Sequence, residues 1–389
     1  NIYNSIEIEN LAEAAAIDLN LTKYLINAKI KEKNYKNQIE YYTRFSSTFD
    51  IKEIVKASEI DKDFTQKLLN STIVNYDGNV RPKYEADSII QFLNLRKDYP
   101  KEDITKFMNL KVSSQFNNNE RLRFESPYDI RQLLESEKKN KPLFDELLNK
   151  NIRYSDNREF PMYGSGDIKN IIKANEIDSE YTTTLLNEND KNLFHINLNG
   201  DEIVTLTQCA QIDKHLTDNL RNIKAKDKKG NLTRRFNAYD IKNLVNHEFK
   251  DKEYLLELAK MKKSNNTDFR FNAQNLTILL KTSEEYGKDY VNELLALKNP
   301  EDENSELDAT EINDVAENVS YKDFKDLKNK IGNVINLLNG TGIIAASQFK
   351  YLYQVENLNE ISIAGKKEML KDLISTNADL LGLSPKIKE

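Results

Sequence analysis

The chain has 389 residues, 39% hydrophobic and 31% charged, with only 11 Gly and 7 Pro. That mixture excludes a collagen-like or disordered chain, and no apolar run approaches the roughly 18–20 residues that a membrane-spanning helix needs. The net charge is −6, but residues 301–389 carry 10 Lys/Arg against 16 Asp/Glu, which leaves residues 1–300 balanced at 47 against 47, with no general attraction for nucleic acid or an anionic membrane.

From the N terminus onward one phrase keeps returning. It reads RFSSTFDIKEIV at 44–55, RFESPYDIRQLL at 123–134, RFNAYDIKNLV at 235–245 and RFNAQNLTILL at 270–280. Aligned on the Ile or Leu that closes it, the chain has anchors at Ile8, Ile51, Ile89, Ile130, Ile168, Ile203, Ile241 and Leu276. Their separations are 43, 38, 41, 38, 35, 38 and 35 residues, the period of an array with one supersecondary module per repeat.

Each module predicts two helices. Apolar pairs three and four residues past the anchor, such as Ile54–Val55, Leu133–Leu134 and Leu279–Leu280, make the stripe of a helix A. Further on, Phe64/Leu68, Leu216/Leu220 and Tyr254/Leu258 make the stripe of a helix B. Asp18, Asp61, Asp178 and Asp213 each follow an Ile between the two and read as N-caps of helix B. Spread one per module, they do not form a convergent carboxylate site.

The recurring phrase is itself a helix start. A residue such as Asn4, Ser47, Ser126, Asn199, Asn237 or Asn272 stands four before the anchor, usually with an acid one before it, close to a capping box. Ahead of the cap stands a staple residue: Tyr3, Phe45, Tyr84, Phe124, Tyr163, Leu198, Phe236 or Phe271. Polar stretches follow helix B, with Asp77–Gly78 and Gly230–Asn231 as turn signals. They read as extended, hairpin-like loops in preference to a short third helix.

The pattern defines a repeat region over 1–298, an acidic linker over 299–310 and a C-terminal helical cap over 311–389. Helical patterns fall near 321–338, 346–355 and 362–376, with Gly340 placed to stop the first.

Two-helix modules of this length resemble the α-solenoid class of HEAT, armadillo, tetratricopeptide and ankyrin repeats, ankyrin-like in plan. The resemblance spans residues 1–298 and is architectural. The TPLHxA phrase of ankyrin repeats is missing and the chain has no Trp, so no functional residues carry over from one family. It implies an all-α fold, an α-solenoid of about eight two-helix repeats of ~38 residues with a helical cap.

A basic residue precedes the staple in five modules: Arg44, Lys83, Arg123, Arg235 and Arg270. Stacked modules would align these as a ladder able to hold phosphates, acidic peptides or bases. The alternative is that each cation covers its own ring or bonds a carbonyl at the end of helix B. Cys209, alone of its kind, excludes an intramolecular disulfide and occupies the slot held by Ala14, Ala57 and Ala174, the place of a small buried hydrophobe. His215 belongs to the surface at the start of helix B, with no third catalytic group in view. The stretch 302–313 lacks the central Gly and the closing Glu of a calcium loop. No phosphate-binding, zinc-protease or nucleophile-elbow motif occurs.

The expected function is therefore a non-enzymatic scaffold for protein or peptide partners, without cofactor or metal. A single-stranded nucleic-acid-binding repeat protein is the alternative, and an enzyme on a helical-repeat fold comes third. The opening residues carry no secretory pattern, which leaves the compartment open for a chain of soluble composition. Tyr3 and Asn4 already hold the staple and cap slots, so the chain is expected to belong to a larger protein or to make a contact at that end.

Overall fold

The computed structural model describes residues 3–33, 39–74, 79–113, 120–153, 159–190, 198–226, 230, 232–263, 268–296, 307–322, 324, 325 and 328. Most of them are helical. Among the described residues there are 16 helices and 10 short strands, so the all-helical expectation is amended by strand pairs. No described helix is long and apolar enough to cross a membrane.

The order is helix A, helix B, strand pair. The first module comprises α1 (Ser5–Ile17), α2 (Leu19–Asn27), β1 (Lys29–Lys33) and β2 (Ile39–Thr43). The second comprises α3 (Thr48–Ser58), α4 (Lys62–Asn70), β3 (Thr72–Val74) and β4 (Val80–Pro82). The third comprises α5 (Ala86–Asp98), α6 (Lys101–Met108), β5 (Lys111–Ser113) and β6 (Glu120–Leu122). The fourth comprises α7 (Pro127–Lys139), α8 (Lys141–Asn149), β7 (Asn151–Arg153) and β8 (Glu159–Pro161). Then come α9 (Ser165–Ile177), α10 (Ser179–Asp190) and α11 (Gly200–Asn222), the last broken at Asp213, where φ is −153° and ψ 95°. After β9 (Lys224–Lys226) and β10 (Leu232–Arg234) follow α12 (Ala238–Asn246), α13 (Lys252–Lys260), α14 (Ala273–Tyr286), α15 (Lys288–Leu295) and α16 (Ala309–Asn318).

Helix starts follow the grammar of the sequence. The Glu7 amide donates to Asn4 Oδ1 at 2.9 Å while the Asn4 amide donates to Glu7 Oε2 at 2.8 Å. The same reciprocal pair opens α12 at Asn237 and Asp240, and α14 at Asn272 and Asn275. It also opens α16 at Asp308 and Glu311, which places Ile312 36 residues past Leu276. Leu307 fills the staple slot there and is buried, inside the stretch 299–310 that the sequence reads as an acidic linker. Helix B starts on an aspartate as expected. Asp18, Asp61, Asp178 and Asp213 accept the amides of Leu21, Phe64, Tyr181 and Leu216 at 3.0, 2.8, 2.9 and 2.9 Å, and Asp251 does the same for Tyr254 at 2.8 Å.

The loops expected to be hairpin-like carry antiparallel pairs, from Lys29↔Thr43 to Lys33↔Ile39 in the first and Thr72↔Pro82 to Val74↔Val80 in the second. Gly230 stands at φ 86°, where a side chain would be strained. Asp77–Gly78, Asn231, residues 299–306, and the patterns near 346–355 and 362–376 with Gly340 lie outside the described residues, as does most of 321–338.

The chain forms two compact bodies, Asn1–Val204 and Thr205–Glu389. In the first, α1 packs on α3, α3 on α5, α5 on α7 and α7 on α9, and each helix B from α2 to α8 lies against the next helix A. In the second, α12 packs on α14 and α14 on α16, with α13 and α15 against the helix A that follows each. The anchors from Ile51 to Leu276 are buried between these faces, as are Ala14, Ala57, Ala174 and Cys209. The Ile that precedes each B cap is not core: Ile17, Ile60 and Ile177 are half-buried and Ile212 is exposed, because the chain is turning there.

One approach is close enough to dictate its residue. A Cβ added to Gly200 would lie 2.4 Å from Asp167 Cα and 2.5 Å from Asp167 O, both main-chain atoms. Gly200→Ala should therefore lower the urea midpoint by the equivalent of about 1–3 kcal/mol. Gly166→Ala, whose Cβ would meet nothing nearer than 3.8 Å, should leave it level or raised.

The B caps predict an acid transition. Asp213 is held below the usual carboxylate range by the Leu216 amide and then by Lys252; Asp18 and Asp251 are held down by the amides of Leu21 and Tyr254, with Lys62 and Lys288 adding to each. A folded value below the unfolded one gives stability that is complete above about pH 4 and lost as pH falls through the folded value. The melting-temperature gap between wild type and Asp213→Asn should be widest near neutrality and shrink as the buffer is taken to about pH 3.

Candidate functional site

The basic slot sits where the strand pair hands over to the next helix A. Its main chain is tied to the end of the preceding helix B: the amides of Arg44, Lys83, Arg123, Arg235 and Arg270 donate to the carbonyls of Ala28, Ser71, Leu110, Ile223 and Met261 at 2.7–3.0 Å. That bond aims each side chain along its own module toward the following one.

Three arginines then make the same fork. Arg44 donates from Nη1 to Leu69 O at 2.6 Å and from Nη2 to Tyr84 O at 3.2 Å. Arg123 donates to Leu148 O at 2.5 Å and Tyr163 O at 2.9 Å, and Arg270 to Leu295 O at 3.0 Å and Leu307 O at 2.8 Å. The first acceptor is always 25 residues on, at the end of the module's own helix B. The second is the staple residue of the next module. A cation at a helix C terminus meets unpaired carbonyls and the negative end of the helix dipole. A planar guanidinium reaches two of them at once, which an ammonium cannot.

Each guanidinium also covers its own ring. Arg44, Arg123, Arg235 and Arg270 stand 4.6–5.0 Å over Phe45, Phe124, Phe236 and Phe271. Lys83, which makes no such fork, rests 4.8 Å over Tyr84. Burial pushes Arg123 and Arg235 down to about 10 and lowers Arg44 and Lys83 as well; at about 10 the first two stay charged at neutral pH. Arg235 departs from the fork. Its Nη2 donates to Phe271 O, but Nη1 is buried without a hydrogen-bond partner, and Phe269 lies 3.9 Å from the guanidinium. Both structural roles open to the ladder, ring cover and helix-end carbonyl, are thus in place.

Acids at the starts of the A helices also reach one module on. Asp129 accepts from Ser165 Oγ, and Asp167 Oδ1 accepts the Gly200 amide at 2.8 Å. Lysines at the starts of the B helices do the reverse: Lys62 pairs with Asp18 at 3.3 Å, Lys252 with Asp213 at 2.6 Å and Lys288 with Asp251 at 3.1 Å. These partners lie 33 or more residues apart, beyond what a local pattern shows.

The remaining candidates bring no chemistry together. Cys209 is buried, and burial pushes its thiol up to about 11, so it is protonated at neutral pH and unsuited to attack. His215 is exposed, its ring beside Asn219 Nδ2 at 3.1 Å. Among the described residues no group of three or more His, Cys, Asp or Glu is placed to hold a metal ion.

The described surface also carries exposed apolar residues at one register of four A helices, three in the first body and one in the second. Ile6, Phe49, Tyr128 and Tyr239 each stand two residues after an A-helix cap and are 56–68% exposed. The chain matches no family model, no curated protein and no solved structure.

The fork predicts unequal costs along the ladder. Arg123→Lys should destabilise the chain by about 1.5–3 kcal/mol in urea unfolding, since one cation cannot serve both carbonyls. Lys83→Ala, which removes only ring cover, should cost about 1 kcal/mol or less.

Proposed function

We propose that the chain is an α-solenoid that serves as a non-enzymatic scaffold for protein or peptide partners. The solenoid reading is supported by the helix-A-on-helix-A packing within each body and by Arg bonds that run from one module to the next. Among the described residues a ninth helix start of the same kind, at Asp308 and Glu311, supports continuation of the pattern to Ile312.

The observation that carries the binding reading is the exposed register of Ile6, Phe49 and Tyr128 in the first body. A helix gains nothing by leaving a ring in water at its second position. Large apolar side chains recurring at one exposed slot mark a surface that something else covers. In the first module Ile8 is 57% exposed, whereas the equivalent anchors from Ile51 to Leu276 are 3% exposed or less. Ile6 and Leu19 are exposed beside it.

The nucleic-acid alternative needs free cations along one face, and the forked arginines are occupied by carbonyl oxygens. A catalytic reading needs converging acid, base or nucleophile, and the paired carboxylates described above serve as helix caps.

Phe49→Ser with Tyr128→Ser tests the scaffold. Both side chains are exposed, so the melting temperature should hold within a few degrees. Cross-linked protein partners recovered with the wild type should be lost selectively. Recovery of RNA in place of protein, or a partner set indifferent to the two substitutions, would overturn the reading.

A further inference from the structure

The exposed register at the A-helix starts of the first body is not purely apolar. Between Phe49 and Tyr128 the third module places Asp87 at the same second helical position, also exposed. Side-chain bonds tie neighbouring A helices near these ends: Asn10 Nδ2 donates to Thr48 Oγ1 at 3.5 Å, and Asp129 accepts from Ser165 Oγ. With each A helix packed on the next, Ile6, Phe49, Asp87 and Tyr128 share one edge of that body. Helix axes roughly 8–10 Å apart make the edge about 30 Å long.

Its charge has one sign. The stretches 3–7, 46–50, 84–88, 125–129 and 163–167 hold seven Asp/Glu and no Lys or Arg, in a chain whose first 300 residues balance 47 against 47. Glu85 and Glu125 lie within the field of Arg44 and Lys83. Glu7, Asp50, Asp87, Asp129 and Asp167 form no ion pair among the described residues. Capping satisfies hydrogen bonds without cancelling charge: the Asn4 amide serves Glu7, the Ser126 hydroxyl Asp129, and the Gly164 and Gly200 amides Asp167. Asp50 is pushed up by burial and then by the charge of Asp87, two like carboxylates with no cation paired to either. Each carboxylate carries a full charge against about half a charge of opposite sign at a helix N terminus, so the edge stays negative. Ring faces attract cations as well. Lys52 shows this at Phe49, its Nζ 5.5 Å from the ring centroid while it pairs with Glu13 at 3.4 Å.

We propose that this edge binds a basic segment of a partner protein laid across the A-helix starts, with a Lys or Arg seated on Asp50 and Asp87 and apolar side chains on Ile6, Phe49 and Tyr128. The proposal rests on the scaffold reading and gives that surface a substrate class. A purely apolar partner would cover Asp50 and Asp87 and leave both charges unpaired, which is costly. A nucleic acid would be repelled by the same carboxylates. An extended segment advances about 3.3 Å per residue, so about nine residues reach from Ile6 to Tyr128.

The test is fluorescence anisotropy of the full chain with a labelled peptide of about ten residues, Arg alternating with Leu, matched by a Gln-for-Arg peptide. Asp87 carries no hydrogen bond among the described residues, so Asp87→Lys should keep the melting temperature within a few degrees. It should weaken the Arg peptide about ten-fold or more, and added salt should weaken wild-type binding. Glu102→Lys makes the same charge change at the second position of α6, beyond the far end of α5, and should leave binding within about two-fold of wild type. Four results each sink the proposal: wild type that does not bind the Arg peptide, equal binding of the Gln peptide, equal losses from Asp87→Lys and Glu102→Lys, or a dimer in sedimentation that Phe49→Ser with Tyr128→Ser dissolves. If the Arg peptide depends on Asp87 while protein partners ignore Phe49→Ser with Tyr128→Ser, the scaffold reading of this surface fails and the basic-segment site stands. Partners lost with the serine pair but indifferent to Asp87→Lys sink the basic segment alone.

Discussion

A helix of nine residues leaves four amide hydrogens and four carbonyl oxygens without partners inside itself. α2, α4, α8, α12 and α13 are all that short, and the whole chain turns back on itself every few turns of helix. The density of unpaired backbone groups at helix ends is therefore the constraint on which the fold rests. Asn, Ser and Asp serve the amide ends. Arginine serves the carbonyl ends, and because its second arm reaches the next staple carbonyl, satisfying one module's backbone also fastens it to its neighbour.

The same constraint bears on function. Charged residues that look available in the sequence are already engaged: aspartates hold amides, arginines hold carbonyls, and lysines at helix starts hold the aspartate of the module before. What is left for recognition is the set of residues the backbone does not use. Among the described residues those include the exposed side chains of Ile6, Phe49, Tyr128 and Tyr239 at the second helical position. Function on such a chain is surface chemistry laid over a frame that is satisfied within itself.

Helix starts were legible in the sequence because a cap acts over three residues, so Asn4 and Glu7 or Asn237 and Asp240 show donor and acceptor in one glance. Asp251 escaped because Lys250 precedes it where Ile precedes the other caps, and its module's turn runs through Glu248 at φ 45°. α16 escaped because an acidic run precedes it where the other modules carry a basic residue or a ring. The loops were read as hairpin-like, but not as strands. Thr72–Val74 and Val80–Pro82 have no buried face, so no alternation marks them. For the arginines the residue type was visible and both structural roles could be anticipated, while the particular acceptors, 25 and about 40 residues away, could not.

The reach of the arginine fork has an evolutionary corollary. Each fork needs only its own helix end and the staple carbonyl that follows, and that carbonyl is backbone, present whatever the side chain: Tyr at 84, Tyr at 163, Leu at 307. A segment copied in tandem thus arrives with its donor ready and finds an acceptor regardless of who its neighbour becomes. Duplication of a copy that carries such an arginine keeps the fork at its new junction, so length can drift by whole increments there.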